Sequence, residues 1–406
     1  MRSQQSISLL ILALAVLAAG CTTATPEATP TATRTPAAAP VNTDTPTSVP
    51  PTTMKPTAKP TAEPTLTPSP EVVVATPPPP DVNPLTGLKV DDPADLDKIP
   101  VAIKVSNSPE TRPQSGLGSA DLVFEHYTES AYSRTRFTGV FYGQNPEQVG
   151  SVRSGRLIDL EIPAMYHAIF GYSGSSAGVK ERIRNSDLFP NQIAAPDFGV
   201  GQPVFYRVPQ EGKAFEHTLF TSPERLRELA EDRGLNDRPE YETYMAFSEN
   251  VPTSGEPIEN LAVQYSSGER FTAEWAYNEE QGTWQRSISG TPHRDALTGE
   301  QITASNVILV FANHVNDNFW EEMHGAQSNW LLSIQIQVWG EGSALIFRDG
   351  KMIPGMWHRK ERDHMLTFTH GDGVPLPLKP GNSWVQLVPI DTPSESAGDE
   401  SLIFNP

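Results

Sequence analysis

Hydrophobic positions follow two different patterns along the chain, and the pattern changes near residue 250. Before that point, short apolar runs typical of buried strands, such as 101–105, alternate with longer stretches of helical spacing, such as 157–168 and 222–234. The last of these stretches opens on Ser-Pro-Glu and ends at a glycine, which are typical signals for the start and end of a helix. An alternation of strands and helices predicts a mixed α/β domain.

Strand patterns dominate the rest of the chain. Short apolar runs recur between turn signals such as Asp349-Gly350, and helix signals are weak. The sequence therefore predicts an α+β fold, with an N-terminal mixed α/β domain at residues 83–250 and a β-rich C-terminal domain at 251–406. Prolines and a glycine interrupt the pattern at 240–258, where we expect the joint between two packed domains.

The start of the chain has a third pattern, a short apolar core behind a positive charge. Arg2 supplies the charge, residues 7–17 form the core, and small residues lead directly into Cys21. A signal peptidase needs small side chains before its cleavage site. The string Leu-Ala-Ala-Gly-Cys that ends there resembles the lipobox of bacterial lipoproteins, in which the cysteine carries diacylglycerol. We expect residues 1–20 to be a lipoprotein signal peptide and Cys21 the anchor; the alternative is an ordinary signal peptide with an incidental cysteine.

Residues 21–82 form a tether behind this cysteine. Thr, Pro and Ala dominate it, and large apolar side chains are nearly absent. Such a segment buries too little surface to offset the entropy lost on ordering, so we expect it to be disordered. Frequent proline extends it toward polyproline II, and roughly sixty residues would reach on the order of 100–180 Å. We therefore expect an extracytoplasmic protein, anchored by lipid to the outer face of the cytoplasmic membrane.

Charge is distributed unevenly over the chain. The formal net charge is −19, and most of the excess acid follows residue 210. An acidic surface repels nucleic acid and other anionic polymers, and the sequence has no nucleic-acid-binding motif. We expect no nucleic-acid partner, and we expect any anion-binding site to lie before residue 210.

Two arginines follow a glycine and precede a predicted helix in the less acidic part. Arg153 and Arg156 lie in the string Gly-Ser-Val-Arg-Ser-Gly-Arg, and a helix start offers free backbone N–H groups and the positive end of the helix dipole. Arginine also suits carboxylate and phosphate groups. Both residues are predicted ligand contacts. The alternative is that they pair with Asp159, Glu161 or Glu181 and hold loops.

A set of carboxylates and arginines lies on a predicted hairpin. Strand alternation puts Asp121 and Glu125 on one face of their strand, and Arg134 and Arg136 on one face of the next. Two carboxylates on one face can perform acid–base chemistry when their environments separate their pKa values. The alternative is an internal ion-pair network. Asp121, Glu125 and Arg134 are therefore further candidates for ligand binding.

Metal and cofactor motifs are absent from the sequence. The histidines show neither His-Glu-x-x-His nor a comparable ligand spacing, and no glycine-rich nucleotide-binding loop is present. We expect no metal and no cofactor.

Several strings taken together resemble one protein family. They are Asn83-Pro-Leu-Thr-Gly87, Asn107-Ser-Pro-Glu-Thr-Arg-Pro-Gln-Ser-Gly116, Ala120-Asp-Leu-Val-Phe-Glu125, Gly150-Ser-Val-Arg-Ser-Gly-Arg156, Phe347-Arg-Asp-Gly-Lys351, Gly355-Met-Trp357 and Pro380-Gly-Asn-Ser-Trp384. The set is similar to the YerB-like lipoproteins, which pair N- and C-terminal domains of unknown function (family 3048), and it covers nearly all of residues 83–390. The resemblance implies architecture and location but no reaction. The sequence departs from the family pattern at Ser151 and Ser133, and a histidine expected near 170–171 is missing, which counts against a catalytic histidine there.

Two classes of function fit these observations. The first is a non-catalytic envelope protein whose module binds a cell-wall glycan, a wall peptide or an envelope protein. The second is a hydrolase or transferase that acts on wall material through the first-domain carboxylates and arginines. The sequence has no recognisable nucleophile or metal set, which favours binding. An acidic pair facing an open cleft would favour an enzyme, whereas a filled and fully paired network would favour binding.

Overall fold

The computed structural model describes residues 75–129, 135–235, 237–265, 271–322 and 331–406. All of these residues belong to one compact unit that covers residues 66–406. Cys21, the signal segment, Arg134 and the expected tether up to residue 74 lie outside the described residues. Within the described ranges, no helix combines the length and the apolar character that a membrane-spanning helix needs.

Three short α-helices lie in the first half of the described chain. They are α1 (Ile162–Met165), α2 (Ala177–Arg184) and α3 (Pro223–Asp232). The start of α3 agrees with its sequence signals, because the Ser222 side chain accepts a hydrogen bond from the Arg225 N–H and Pro223 occupies the first turn. Gly234 follows the helix with a positive φ of 71°, a conformation that glycine adopts without steric cost.

Strands make up most of the remaining regular structure. In the first half they are β1 (Val101–Ser106), β2 (Leu122–Tyr127), β3 (Thr135–Phe141), β4 (Val149–Gly150), β5 (Ile169–Gly171), β6 (Ile193–Ala194), β7 (Tyr206–Arg207) and β8 (Leu219–Thr221). In the second half they are β9 (Glu256–Pro257), β10 (Asn260–Gln264), β11 (Thr272–Asn278), β12 (Thr283–Ile288), β13 (Thr291–Pro292), β14 (Thr303–Ala304), β15 (Asn306–Glu322), β16 (Leu331–Gln337), β17 (Gly340–Arg348), β18 (Lys351–Arg359), β19 (Thr367–Thr369), β20 (Ser383–Pro389), β21 (Ser394–Ser396) and β22 (Ser401–Phe404).

The described strands form three sheets. The largest has twelve strands, in the order β19-β18-β17-β15-β20-β2-β3-β1-β5-β6, with β16 paired to β15 and β9 paired to β18. A seven-stranded sheet has the order β13-β12-β11-β10-β22-β21, with β14 paired to β12, and a three-stranded sheet has the order β4-β8-β7.

The large sheet takes strands from both halves of the sequence. β2, in the predicted N-terminal domain, pairs in parallel with β20 near the C-terminus. Hydrogen bonds also attach the predicted joint at 240–258 to the C-terminal range. Ser248 N donates to Leu378 O (2.9 Å), and Arg348 Nη2 donates to Ser248 O (2.9 Å). Strands from the two ranges that the sequence separates therefore lie in one sheet.

Most of the structure is β-sheet with few helices, and the expected α+β fold with a mixed α/β first domain is not confirmed. β3 pairs antiparallel with both β1 and β2, and β1 pairs in parallel with β5. The segment 157–168, predicted as one helix, contains a 3-10 turn at Leu157–Leu160 and the four residues of α1. Pro163 has no N–H to continue a helical ladder from the 3-10 turn, which accounts for the interruption.

Both faces of β1, which lies inside the large sheet, are buried. On β1, Val101, Ile103 and Val105 belong to one apolar cluster and Ala102 to another, as the alternation of side chains along a strand requires. The first cluster includes tryptophans of β11 and β12 in the seven-stranded sheet, and the second includes residues of α1 and α2. Lys104 shares the face of Ala102 and is fully buried, so the core contains charged groups that need partners.

Candidate functional site

Asp121 lies just before β2 and holds the end of β3. Its Oδ1 accepts a hydrogen bond from Asn83 Nδ2 (3.0 Å), and its Oδ2 accepts from the N–H groups of Tyr142 (2.5 Å) and Gly143 (3.0 Å). Burial raises the pKa of Asp121 to about 6, and the two backbone donors act in the opposite direction. The carboxylate is enclosed by protein donors, so Asp121 braces the loop after β3.

Glu125 lies at the centre of a buried polar cluster. Its Oε2 accepts from Arg286 Nη2 (2.8 Å) and Trp384 Nε1 (3.1 Å), and its Oε1 accepts from Thr135 Oγ1 (3.0 Å). The Arg286 and Glu125 side chains are each 1% exposed. This charge pair joins β2 to β12 and is an internal network of the kind that the sequence left open as the alternative.

The cluster continues from Arg286 to a neutral histidine. Arg286 Nη1 donates to His293 Nδ1 (2.7 Å), and His293 Nε2 in turn donates to Gln114 Oε1 (2.7 Å). Burial, followed by the charge of Arg286, lowers the pKa of His293 well below its usual value. His293 therefore accepts from the guanidinium as a neutral imidazole and fixes its orientation.

Arg156 is buried between two carboxylates. Its Nε lies 2.8 Å from Glu129 Oε2, and its Nη1 lies 3.0 Å from Glu321 Oε1. Its backbone N–H also donates to Asp159 Oδ2 (2.7 Å) at the start of the 3-10 turn. The Arg156 side chain is thus held by protein carboxylates, but these are Glu129 and Glu321, far away in sequence, and not Asp159, Glu161 or Glu181, which the sequence suggested.

Arg153 is the partly exposed member of the described candidates. Its backbone N–H donates to Lys104 O (3.0 Å), which fixes the chain beside β1, and its Nη1 donates to Glu216 O (3.2 Å). The guanidinium charge also contributes to lowering the pKa of His217. Arg153 and Arg156 thus point to different surroundings, although they lie three residues apart.

A cleft of about 750 Å³ opens between residues 109–113 and residues 288–294. We call it the Arg112 cleft. It is lined by parts of both sequence halves, and cavities between such parts are common ligand sites. Arg112 and Arg294 line it together with Glu110, so guanidinium groups outnumber carboxylates.

Arg112 is oriented by neighbouring polar and aromatic groups. Its Nε donates to Asn107 Oδ1 (3.2 Å) and its Nη2 to Asn107 O (3.0 Å). The guanidinium carbon lies 5.5 Å from the centre of the Phe271 ring, within the range of a cation–π contact. Burial and the nearby Arg286 lower the pKa of Arg112 to about 10, so the side chain remains charged at neutral pH.

The sequence did not single out Arg112, His293 or Arg294 as functional residues. A weak signal existed for Arg112, which lies in a polar, proline-containing string between two predicted strands. No local pattern links it to His293 and Arg294, which arrive from the other half of the chain. Within the described ranges, no group of three or more histidine, cysteine, aspartate and glutamate residues is arranged to hold a metal ion.

Comparison with known proteins identifies related chains. Models of the protein of unknown function DUF3048 match residues 85–236 with the N-terminal domain and 261–385 with the C-terminal domain. The chain is 29% identical over 318 residues to a Bacillus subtilis (strain 168) protein named "Putative lipoprotein YerB", over 78% of this chain and 89% of that protein. The crystal structure of YerB from Bacillus subtilis superposes with a TM-score of 0.64 at 27% identity, over 76% of this chain and 97% of that one. The two-domain layout of the sequence agrees with the two family models.

Proposed function

Because the chain belongs to the DUF3048 family of proteins of unknown function, we propose a role from its own geometry. The protein is a lipid-anchored, extracytoplasmic component of the bacterial cell envelope. Its folded module binds an anion-bearing envelope component, such as a wall peptide with free carboxylates, in the Arg112 cleft. Binding takes place without chemical turnover.

The sequence of the first 21 residues supports the anchored location. An apolar core is followed by small residues and Cys21, the one cysteine of the chain. The related Bacillus subtilis protein carries the word lipoprotein in its name. Stable attachment needs more than a single acyl chain, and a diacylglyceryl cysteine supplies two.

The Arg112 cleft is the observation that carries the binding proposal. It gathers Arg112 and Arg294 at one opening, although the chain as a whole has a net charge of −19. A guanidinium presents a planar pair of donors that matches carboxylate and phosphate groups. In an acidic molecule, most of the surface repels anionic ligands. A locally basic cleft attracts them, so anions bind preferentially in the cleft.

The surroundings of the sequence candidates favour binding over acid–base catalysis. Asp121 and Glu125 are buried; Asp121 accepts hydrogen bonds from three protein groups and Glu125 from four. They do not form an open pair of carboxylates, which the alternative of a hydrolase or transferase acting on wall material requires. Arg156 is likewise enclosed by Glu129 and Glu321.

Titration of the protein with soluble wall fragments tests the binding proposal. The full-length chain in detergent would be titrated by calorimetry with muropeptides released enzymatically from cell walls. Arg112→Ala should weaken binding by about ten- to a hundredfold, because one charge-assisted contact is worth about 1.5–3 kcal/mol. Muropeptides with amidated carboxylates should bind more weakly to the wild type.

Arg182→Ala provides a matched control for this experiment. Arg182 is a partly exposed arginine of α2 that pairs with Asp317 (3.0 Å) and does not line the Arg112 cleft. Its loss should leave binding unchanged, and thermal unfolding should show that both variants remain folded. Absence of muropeptide binding to the wild type, or equal binding by the two variants, would refute the proposed ligand site.

A further inference from the structure

A second, smaller cavity borders the loop that carries Arg112. Its volume is about 150 Å³, several times the share of one molecule in liquid water, roughly 30 Å³. Pro113 lines both this cavity and the Arg112 cleft. The polar side chains around the smaller cavity include Ser115, Ser151, Lys213 and His217, and we call it the Ser151 pocket.

Ser151 lines the pocket and carries a buried hydroxyl. The residue is 3% exposed, and its Oγ has no hydrogen-bond partner among the described residues. Its main chain is fixed, because Ser151 O accepts from Ser106 N (3.0 Å) and the next residue, Val152, donates to Leu219 O (2.7 Å). Buried polar groups in proteins nearly always have a partner. A hydroxyl without one, in a fixed residue that lines a cavity, points to a bound molecule.

His217, which also lines the pocket, has a second buried polar atom that lacks a partner. His217 Nδ1 has no hydrogen-bond partner within the described part of the chain. Ser115 Oγ accepts from Gln148 Nε2 (3.0 Å), so its own proton remains available to donate. Lys213 adds a positive charge at the same cavity. The pocket therefore offers donors from three separate segments of the chain.

We propose that the Ser151 pocket binds a compact oxyanion of the phosphate type. The hydroxyls of Ser115 and Ser151 and the ammonium of Lys213 donate to different oxygens of the anion, and His217 donates when it is protonated. Charge-assisted hydrogen bonds of this kind are about twice as strong as neutral ones. The site is distinct from the Arg112 cleft, and this inference does not depend on what binds there.

The charges around His217 link binding to pH. Burial, followed by Arg153, lowers the pKa of His217, while Glu216 and Glu110 raise it and Lys213 lowers it further. The imidazole is therefore neutral at pH 7 in the empty pocket. A bound dianion favours the imidazolium form, so protonation and binding reinforce each other and affinity increases as the pH falls.

Inorganic phosphate is the first probe of the pocket. The full-length chain in detergent would be titrated by calorimetry at fixed pH, with acetate as a comparison. We expect phosphate to bind more tightly than acetate, because it offers more acceptor oxygens and more charge. Ser151→Ala and Lys213→Gln should each weaken phosphate binding by about tenfold, and Lys360→Gln, which changes an exposed lysine away from the pocket, should not.

Thermal unfolding separates this role from a structural one. Without phosphate, Ser151→Ala should melt at the wild-type temperature or above it, because it removes a buried hydroxyl that has no partner. With phosphate, the wild type should gain thermal stability and the variant should gain less. Wild-type protein that does not bind phosphate, or variants that bind it as tightly as the wild type, would overturn the inference; Lys213→Gln decides if Ser151→Ala fails to fold.

Sulfate tests the pH linkage, since it stays doubly charged while phosphate itself titrates. Wild-type affinity for sulfate should rise severalfold between pH 8 and pH 6. His217→Gln should bind with little dependence on pH over the same range. Equal pH profiles for the two proteins would show that His217 does not contact the anion.

Discussion

At the scale of single residues, Glu125 shows which contacts the neighbouring sequence can predict and which it cannot. The alternation of its strand predicts which residues share its face, and the possibility of an internal ion pair also follows from the sequence. Its observed partner, Arg286, lies 161 residues away. Nothing near Glu125 identifies that arginine, because the contact depends on how two distant strands are arranged. Arg134, the candidate arginine that the sequence places on the next strand, lies outside the described residues.

Glu125→Gln should destabilise the fold rather than affect ligand binding directly. The substitution leaves the Arg286 guanidinium buried without its carboxylate, and breaking one side of a buried ion pair costs about 3–5 kcal/mol. The free energy of unfolding in urea should fall by about that amount. Glu228→Gln makes the same chemical change at an exposed position of α3 and should have no measurable effect. Similar stability of the two variants would contradict a structural role for Glu125.

At the scale of elements, the sequence predicts the ends of α3, but for the central strands it predicts the position and not the pairing partners. The start and end of α3 depend on Ser222, Pro223 and Gly234, which are local signals, and the sequence predicts them correctly. The strand runs at 101–105 and 121–127 are also recognised, since burial sets their pattern. Their neighbours are not recognised, because pairing of β2 with β20 joins distant parts of the chain.

The long strand β15 explains why a glycine, Gly178, lies within helix α2. The first part of β15 pairs with β17 and β20, and its second part pairs with β16. Phe319, in the second part, packs against α2 where Gly178 has no side chain, and a Cβ at Gly178 would overlap the Phe319 ring. Ser176 Oγ also donates to Glu321 Oε2 (2.6 Å). The glycine makes room for the β15–β16 hairpin.

Gly178→Ala should therefore lower stability, although alanine favours an isolated helix by about 1 kcal/mol. Overlap with the Phe319 ring forces a shift in a packed region, which costs about 1–3 kcal/mol. A lower midpoint of urea unfolding would confirm the close contact. Gly371→Ala is the matched control, since a Cβ there meets no atom within 4 Å. If the midpoint of urea unfolding of Gly178→Ala is at or above that of the control, Phe319 of β15 does not pack closely against Gly178 of α2.

At the scale of the whole molecule, one sheet unites the two parts that the sequence separates. The change of pattern near residue 250 is real, and the family models divide there too, at 85–236 and 261–385. The pattern of hydrophobic and polar positions indicates which side chains of a segment are buried. It does not indicate which segments lie next to each other in the fold. The same limit applies to the Arg112 cleft. Its first half lies before residue 210, where the charge distribution places an anion site, and its second half comes from β13 and its surroundings.

The location that we propose for the molecule depends on one residue, Cys21. Cys21 is the one cysteine in the sequence, so a lipid attached through sulfur has a single possible site. Cys21→Ala should abolish labelling by a metabolic fatty-acid probe and should release the protein from the membrane fraction or leave it unprocessed. Thr22→Ala, which changes the adjacent residue and keeps the thiol, should retain the label and the membrane fraction. Equal labelling of the wild type and Cys21→Ala would exclude Cys21 as the anchor. The Cys21→Ala chain has no thiol, so the label would then be attached to another kind of group.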